Sequence, residues 1–475
     1  MIFRLFFQTM LARRMLAVAL ATSTALVLAV ALLTGLHSPH EALAREGESN
    51  PHGFGRPAAA TFASFQPSSV MTLTGELTGT GFGYPVASAG DVNGDGYADV
   101  IVGALGYYSF SGRIYVYHGS ASGLNPTPVF TATGEAINDQ FGYAIGTAGD
   151  VNGDGYDDAI VGAYEHSPWR AYVYLGSASG LNAASVVTLT GDVKVFEIAA
   201  GTAGDVNGDG YDDVIVGVPD SGRAYVYMGA ASGLNTTPAL TLTGAASVFG
   251  KSAGGAGDIN GDGYAEVIIG EPGYIGQAHV YMGTTNGLST TPAVTLTGET
   301  IGDAFGSEAE TAGDINSDGY SDIIVGAATY TSTTAIGRVY AYLGSVGGLT
   351  ATPAFTATGE AAFNNFGYSA GTAGDVNGDG YDDVVVGAPG YQNSTGRAYL
   401  YLGSANGLSA TPAFTATGET AGNAFGVSAG MAGDVNGDGV GDFIVGANHY
   451  DNARGRVYLY FGIPNRRIFL PLIQK

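Results

Sequence analysis

The chain contains no cysteine, which excludes a disulfide scaffold and a thiol nucleophile. Basic residues are scarce. There are 17 Lys and Arg against 42 Asp and Glu, a formal net charge of -25, and only nine Lys or Arg lie between residues 57 and 465. No basic stripe is present to neutralise phosphates, so nucleic acid is excluded as a partner. Past residue 60 no segment carries a long, capped apolar stripe of 3.6-residue period, so helix is a minor element at most. The chain has no H-E-x-x-H and no phosphate-cradling loop. Its seven histidines, His37, His40, His52, His118, His166, His279 and His449, never recur at metal-ligand spacing. An enzyme is therefore not expected.

Glycine and aromatics are what the chain has in excess. Glycine supplies 78 of 475 residues, with 29 Tyr and 21 Phe, where average glycine usage is about 7%. Many turns joining short aromatic-rich strands give this composition. At the N-terminus, Arg4, Arg13 and Arg14 precede an apolar run from Met15 to about Gly35, and Ala42-Leu43-Ala44 fits a small-x-small cleavage site. Residues 1–44 thus read as an export signal, although the run is also long enough for an uncleaved anchor. Residues 45–66 read as a linker. A secreted or cell-surface location follows, with no membrane span in the mature chain if the signal is cleaved.

The dominant feature is a repeat. D-x-N-G-D-G-x-x-D begins at Asp91, Asp150, Asp205, Asp258, Asp314, Asp375 and Asp434, at intervals of 53 to 61 residues. The fourth copy ends in Glu266 and the fifth has Ser317 in place of the first glycine. Phe-Gly precedes six copies, the third having Phe196-Glu197 instead, and runs such as DVIVG, GRAYVYLG, GSASGL and PAFTATGE follow. Val, Ile, Tyr and Thr punctuated by Gly, Asn and Ser are strand chemistry. In the sixth unit strands are expected near 367–373, 382–387, 397–402 and 412–417. Four strands per unit predict an all-β, seven-bladed β-propeller over residues 67–463, with an open solenoid as the competing architecture.

The ends of the repeat decide between them. The T-x-T-G strand occurs seven times, its first copy at Thr72–Gly75 ahead of the first acidic loop, while no such strand follows the last unit. The GSASGL-type connector occurs only six times. The strand near 69–75 is therefore expected to complete the blade built by the C-terminal strands, closing the ring and removing its edges. The apolar tail within 464–475, Ile468 to Ile473, competes for that edge or docks elsewhere.

Oxygens at positions 1, 3, 5, 7 and 9 of a loop can wrap calcium, a hard cation taking six to eight oxygen ligands. In the first loop these are Asp91, Asn93, Asp95, the carbonyl of Tyr97, and Asp99; in the second Asp150, Asn152, Asp154, Tyr156 and Asp158. The third offers Asp205, Asn207, Asp209, Tyr211 and Asp213, and the fourth Asp258, Asn260, Asp262, Tyr264 and Glu266. The fifth offers Asp314, Asn316, Asp318, Tyr320 and Asp322, and the sixth Asp375, Asn377, Asp379, Tyr381 and Asp383. The seventh offers Asp434, Asn436, Asp438, Val440 and Asp442. The acids at positions 1, 5 and 9 make up half of the 42 in the chain. A purely structural Asx turn does not need three acids each time. An EF-hand is excluded because position 12 is apolar, Val102 in the first copy. About seven structural calcium ions are expected, magnesium fitting less well because it favours a tighter shell and its own waters.

The combination of Phe366-Gly367, the loop from Asp375 to Asp383, and Gly387-Ala388-Pro389 resembles the FG-GAP repeat of the integrin α-subunit N-terminal propeller. The resemblance covers about residues 67–463. It implies a seven-bladed propeller with calcium between the first two strands of a blade, and a role in extracellular adhesion or ligand binding. A stand-alone, bacterial-type FG-GAP protein fits better than an integrin. The loops joining strands two and three carry aromatics: Tyr107, Tyr108, Tyr164, Trp169, Tyr274, Tyr330, Tyr391 and Tyr450. These are the candidate face for an extracellular protein or glycan ligand. The alternatives are a purely structural cell-envelope component and a hydrolase-associated propeller.

Overall fold

The computed structural model describes residues 65–164, 168–191, 198–331 and 334–464. The export segment, residues 45–64 of the expected linker, His166, Phe196-Glu197 and the tail from residue 465 lie outside the described residues.

The repeats fold into seven four-stranded antiparallel sheets. In the sixth the strands are Ser369–Gly374, Asp383–Ala388, Arg397–Tyr401 and Phe414–Thr417, close to the expected ranges. Burial follows composition. The second strand, DVVVGA, is buried along its whole length, because both its faces meet neighbouring blades. The outermost strand, FTAT, alternates between half-buried and exposed, as a sheet edge with one solvated face should. The innermost strands touch in a ring, each against the next, with Ser428–Gly433 of the seventh blade against Val86–Gly90 of the first. This is a closed seven-bladed propeller.

Closure occurs as the strand count requires. Val70–Thr74 pairs antiparallel with Arg456–Tyr460, from Val70 opposite Tyr460 to Thr74 opposite Arg456. Packing begins two residues before the expected boundary. The Phe65 N–H donates to the Ala413 carbonyl at 3.2 Å, and its ring meets Phe414 edge-on.

The Phe-Gly pairs staple blade to blade. Phe82, Phe141, Phe249, Phe305, Phe366 and Phe425 are all buried. Phe366 meets Tyr399 of the following third strand at 5.1 Å between centroids, and Phe425 meets Tyr458 at 5.0 Å. The glycine is required at the same point. Gly367 has φ +82°, and a Cβ there would lie 2.7 Å from the Arg338 carbonyl oxygen of the preceding blade.

The third unit lacks that Phe-Gly, and its seam is filled from next door. Trp169, from the second blade, is fully buried against Tyr225 of the third, the tyrosine equivalent to Tyr399. In the fourth blade His279 takes the tyrosine position against Phe249. It is held by the Glu271 carboxylate at 2.8 Å, with Thr295 Oγ1 on the other ring nitrogen at 3.3 Å.

Candidate metal centre: seven acidic loops

Each acidic loop joins the first and second strands of its blade, so all seven lie on one face of the ring. The local fold is dictated by the position-1 aspartate. Asp91 Oδ1 accepts the N–H groups of Gly94 (2.7 Å) and Asp95 (3.1 Å), and Oδ2 accepts that of Gly96 (2.8 Å). The bond to the position-6 N–H recurs in all seven loops at 2.7–2.9 Å. Asn93 Oδ1 accepts the Asp95 N–H, and Asp95 Oδ1 the Tyr97 N–H. Such a wrap needs left-handed backbone, and Gly94 and Gly96 have φ of +69° and +88°. Ser317 adopts φ +55° at position 4 of the fifth loop, at a cost of about 1–2 kcal/mol for a residue with a Cβ.

Position 9 does something the sequence reading missed. Asp99 Oδ2 accepts the N–H of Val92 at 3.1 Å, and Oδ1 that of Gly119, past the third strand, at 2.9 Å. The same two-way strut occurs in every blade at 2.8–3.2 Å, through Asp158, Asp213, Glu266, Asp322, Asp383 and Asp442. These acids are fully buried. Burial pushes the Asp99, Asp158, Asp213, Asp322 and Asp442 carboxyls up to about 7, with repulsion from the loop aspartates adding to it and the two N–H bonds opposing it. Glu266 is likewise pushed up to about 7. The motif's ninth residue is thus a strut between loop and connector, whatever else it ligates.

The loops also link the blades. The position-1 carbonyl accepts an N–H from position 8 of the next loop at 2.8–3.2 Å, around the whole ring to Ala98 on Asp434. Where position 8 is aspartate, its carboxylate returns the contact: Asp157, Asp212 and Asp382 accept the N–H of Asp91, Asp150 and Asp314 at 2.7, 3.0 and 2.8 Å. Position-7 tyrosines lie across the preceding loop, and a Cβ on Gly94 would come 2.7 Å from the Tyr156 ring.

Among the described residues no group of three His, Cys, Asp or Glu side chains closes on one metal position. The loop oxygens face their own backbone N–H groups instead. The donor set nonetheless fits a hard cation. Carboxylate and amide oxygens at positions 1, 3 and 5 belong to exposed or half-exposed residues except at Asn377, which is buried, and an oxygen that accepts a single N–H, such as Asp91 Oδ2, keeps a second lone pair.

On the opposite face the expected aromatic set divides. Trp169 is fully buried, and that expectation is corrected: the ring fills the seam where Phe-Gly is missing. Tyr391 is also buried. The Arg113, Arg338, Arg397 and Arg456 guanidiniums stack over Tyr107, Tyr330, Tyr391 and Tyr450 at 3.8–4.1 Å. These arginines are fixed by carboxylates, as Arg397 is by Glu360 at 3.0 Å, with Tyr399 Oη donating to the same Glu360 oxygen. The Tyr164 ring lies 4.5 Å from that of Tyr143, tilted at 42° to it. Tyr108 and Tyr274 stand free, 78% and 75% exposed. Beside them are exposed apolar residues that sequence reasoning did not single out: Ile137, Ile301 and Phe363. Their signal was an apolar residue two or three positions after the Thr-Gly-Glu of Glu135, Glu299 and Glu360. Backbone bonds bring the loops together, Gln140 N–H to the Phe110 carbonyl and Gly302 N–H to that of Tyr274.

Comparison with known proteins agrees with this geometry. Residues 82–117, 366–401 and 425–460 match the FG-GAP repeat, and 150–216, 205–269 and 258–325 match the FG-GAP-like repeat. Human integrin alpha-6 is 31% identical over 169 residues, 34% of this chain and 15% of that protein. Chicken integrin alpha-V is 35% identical over 215 residues, 40% of this chain and 20% of that protein, and integrin alpha-4 of Xenopus laevis 30% over 245 residues, 48% and 23%. The matches thus span less than a quarter of these relatives. The repeat matches fall on the blades of the closed seven-bladed ring, and the integrin similarity agrees with them: the chain is an FG-GAP repeat protein with an integrin-α-like propeller.

Proposed function

We propose that this protein is an exported propeller stabilised by calcium in its acidic loops, and that it serves as a non-catalytic adhesion or ligand-binding module. Support for calcium is the recurrence, in all seven blades, of oxygen donors at positions 1, 3 and 5 on a wrapped loop. About seven ions are the expected load, held by pairs such as Asp91 and Asp95 and structural in effect. The export-like N-terminal sequence supports a secreted or cell-surface location; N-terminal sequencing of the exported chain should begin just past Ala44.

The observation that carries the binding role is the apolar rim on the face away from the loops. Exposed there are Tyr108 and Phe110 on a loop bonded to that of Ile137, Tyr274 on a loop bonded to that of Ile301, and Phe363. The integrin relatives add weight to an extracellular protein ligand, and rigid tyrosines on loops suit protein or glycan surfaces equally. The test is binding of the calcium-loaded protein to a glycan array and to a panel of extracellular matrix proteins, repeated with Tyr108→Ser/Phe110→Ser and with Tyr274→Ser. Loss of a specific signal in these variants at unchanged thermal stability supports the reading. Absence of any signal in the unmodified protein points to a structural envelope component instead.

A further inference from the structure

We propose that the Asn–Gly pairs in five of the acidic loops are spontaneous deamidation sites gated by the bound calcium, an inference that rests on the calcium reading. The pairs are Asn93–Gly94, Asn152–Gly153, Asn207–Gly208, Asn260–Gly261 and Asn436–Gly437; the sixth loop's Asn377 is buried and lacks the contacts that the others make. Glycine after asparagine leaves no Cβ to obstruct attack of its backbone nitrogen on the asparagine side chain. In that reaction the glycine nitrogen bonds to asparagine Cγ and gives up its proton. The side-chain nitrogen leaves as ammonia, and water opens the resulting succinimide to aspartate or isoaspartate.

The loop geometry contains both what promotes this step and what restrains it. The Gly94 N–H already donates to Asp91 Oδ1 at 2.7 Å, so a carboxylate stands ready to take the proton. The same contact recurs at Gly153, Gly208, Gly261 and Gly437 at 2.6–2.7 Å. The restraint is on the carboxamide. Asn93 Oδ1 is held by the Asp95 N–H at 2.9 Å, and Nδ2 donates to Asp95 Oδ2 at 3.1 Å. That anchor depends on keeping two aspartates and the amide together at an exposed turn, where the carboxylates repel each other unless a cation lies among them. Ligation through Asp91 Oδ2, Asn93 Oδ1 and Asp95 would lock the carboxamide in its anchored position; release of the ion frees it to turn towards the Gly94 nitrogen. The product differs from the starting loop. Aspartate adds a fourth carboxylate, and isoaspartate lengthens the backbone just before positions 5 and 7.

The chain carries its own controls. Asn286–Gly287 and Asn406–Gly407 are Asn–Gly pairs at exposed connectors with no ligand set around them, and Asn316–Ser317 is the acidic loop without the glycine. The experiment is peptide mapping by mass spectrometry of the folded full chain, incubated with calcium or with chelator below its chelated melting temperature. Circular dichroism verifies folding, and calorimetric titration of the same preparation measures calcium binding. The expected result is amide-to-acid conversion at Asn286 and Asn406 in both conditions. Conversion in the five loops should occur under chelator only, with Asn316 lagging behind them. Equal loop conversion with and without calcium, in a protein whose titration shows binding, overturns the gating and leaves the calcium reading intact. Loops that stay unconverted under chelator while Asn286 and Asn406 convert also overturn it. A titration without binding brings down the calcium reading and this inference with it.

Discussion

Replacing Trp169 with alanine separates two roles for the largest side chain on the strand-two-to-three loops. The indole is fully buried, closes the only blade seam whose Phe-Gly sequence is missing, and lies 5.6 Å from the Tyr225 ring. Removing a buried Trp costs about 3–5 kcal/mol through lost transfer energy and a cavity, and the aromatic pair contributes roughly 0.5–1.5 kcal/mol of it. The cavity opens beside Gly191, where a Cβ would already collide with the indole, so the backbone has little room to collapse inward. Trp169→Phe restores most of the apolar contact and should recover more than half of the loss. Guanidinium unfolding in saturating calcium, read by circular dichroism, measures both variants. A loss in Trp169→Ala below about 1 kcal/mol, or a loss of ligand binding at native stability, refutes the seam-filling account and returns Trp169 to the binding face.

Three further outcomes follow. Deleting residues 65–76 removes the fourth strand of the last blade together with buried Phe65 and Leu73, and should destabilise the ring by several kcal/mol, which limited proteolysis should detect as early cleavage in residues 428–460. Metal-free protein should melt higher at pH 5.5 than at pH 8.5. The buried position-9 carboxyls are raised to about 7 in the folded chain, so their contribution is fully present below the ordinary carboxylate range and is lost as pH rises through 7. A metal-free melting temperature that rises with pH across that window refutes this assignment. Asp95→Ala should lower calcium stoichiometry by one ion in calorimetric titration, whereas Asp99→Asn should chiefly lower stability, by roughly 1–3 kcal/mol, because one of its two buried N–H partners loses its acceptor.

Much of this was legible in the sequence because the repeat sets many constraints at once. The spare T-x-T-G strand at Thr72–Gly75 and the missing seventh connector located the closure, and the pairing of Val70 with Tyr460 follows that count. The strand ranges of the sixth unit came from turn punctuation and β-branched runs alone. The loop face was legible for a similar reason, since identical acids at fixed offsets leave few uses for them. The opposite face was not, because its residues act through neighbours far away in the chain. Nothing local to Trp169 says that Glu197 stands where another unit has glycine and that the seam needs a large ring. Nothing local to Tyr391 says that Arg397 stacks on it while binding Glu360. The position-9 strut was hidden too: its partner Gly119 lies 20 residues away from Asp99, so the motif's own spacing carries no trace of it.

The central claim is that the acidic loops hold calcium as part of the scaffold. The most direct measurement is thermal unfolding of the full chain in calcium, in chelator, and in chelator followed promptly by excess calcium. The account predicts a marked fall in melting temperature on chelation and full recovery on prompt addition of calcium, since an ion bound only by the folded state stabilises it by mass action. Superimposable melting curves in the three conditions would contradict it.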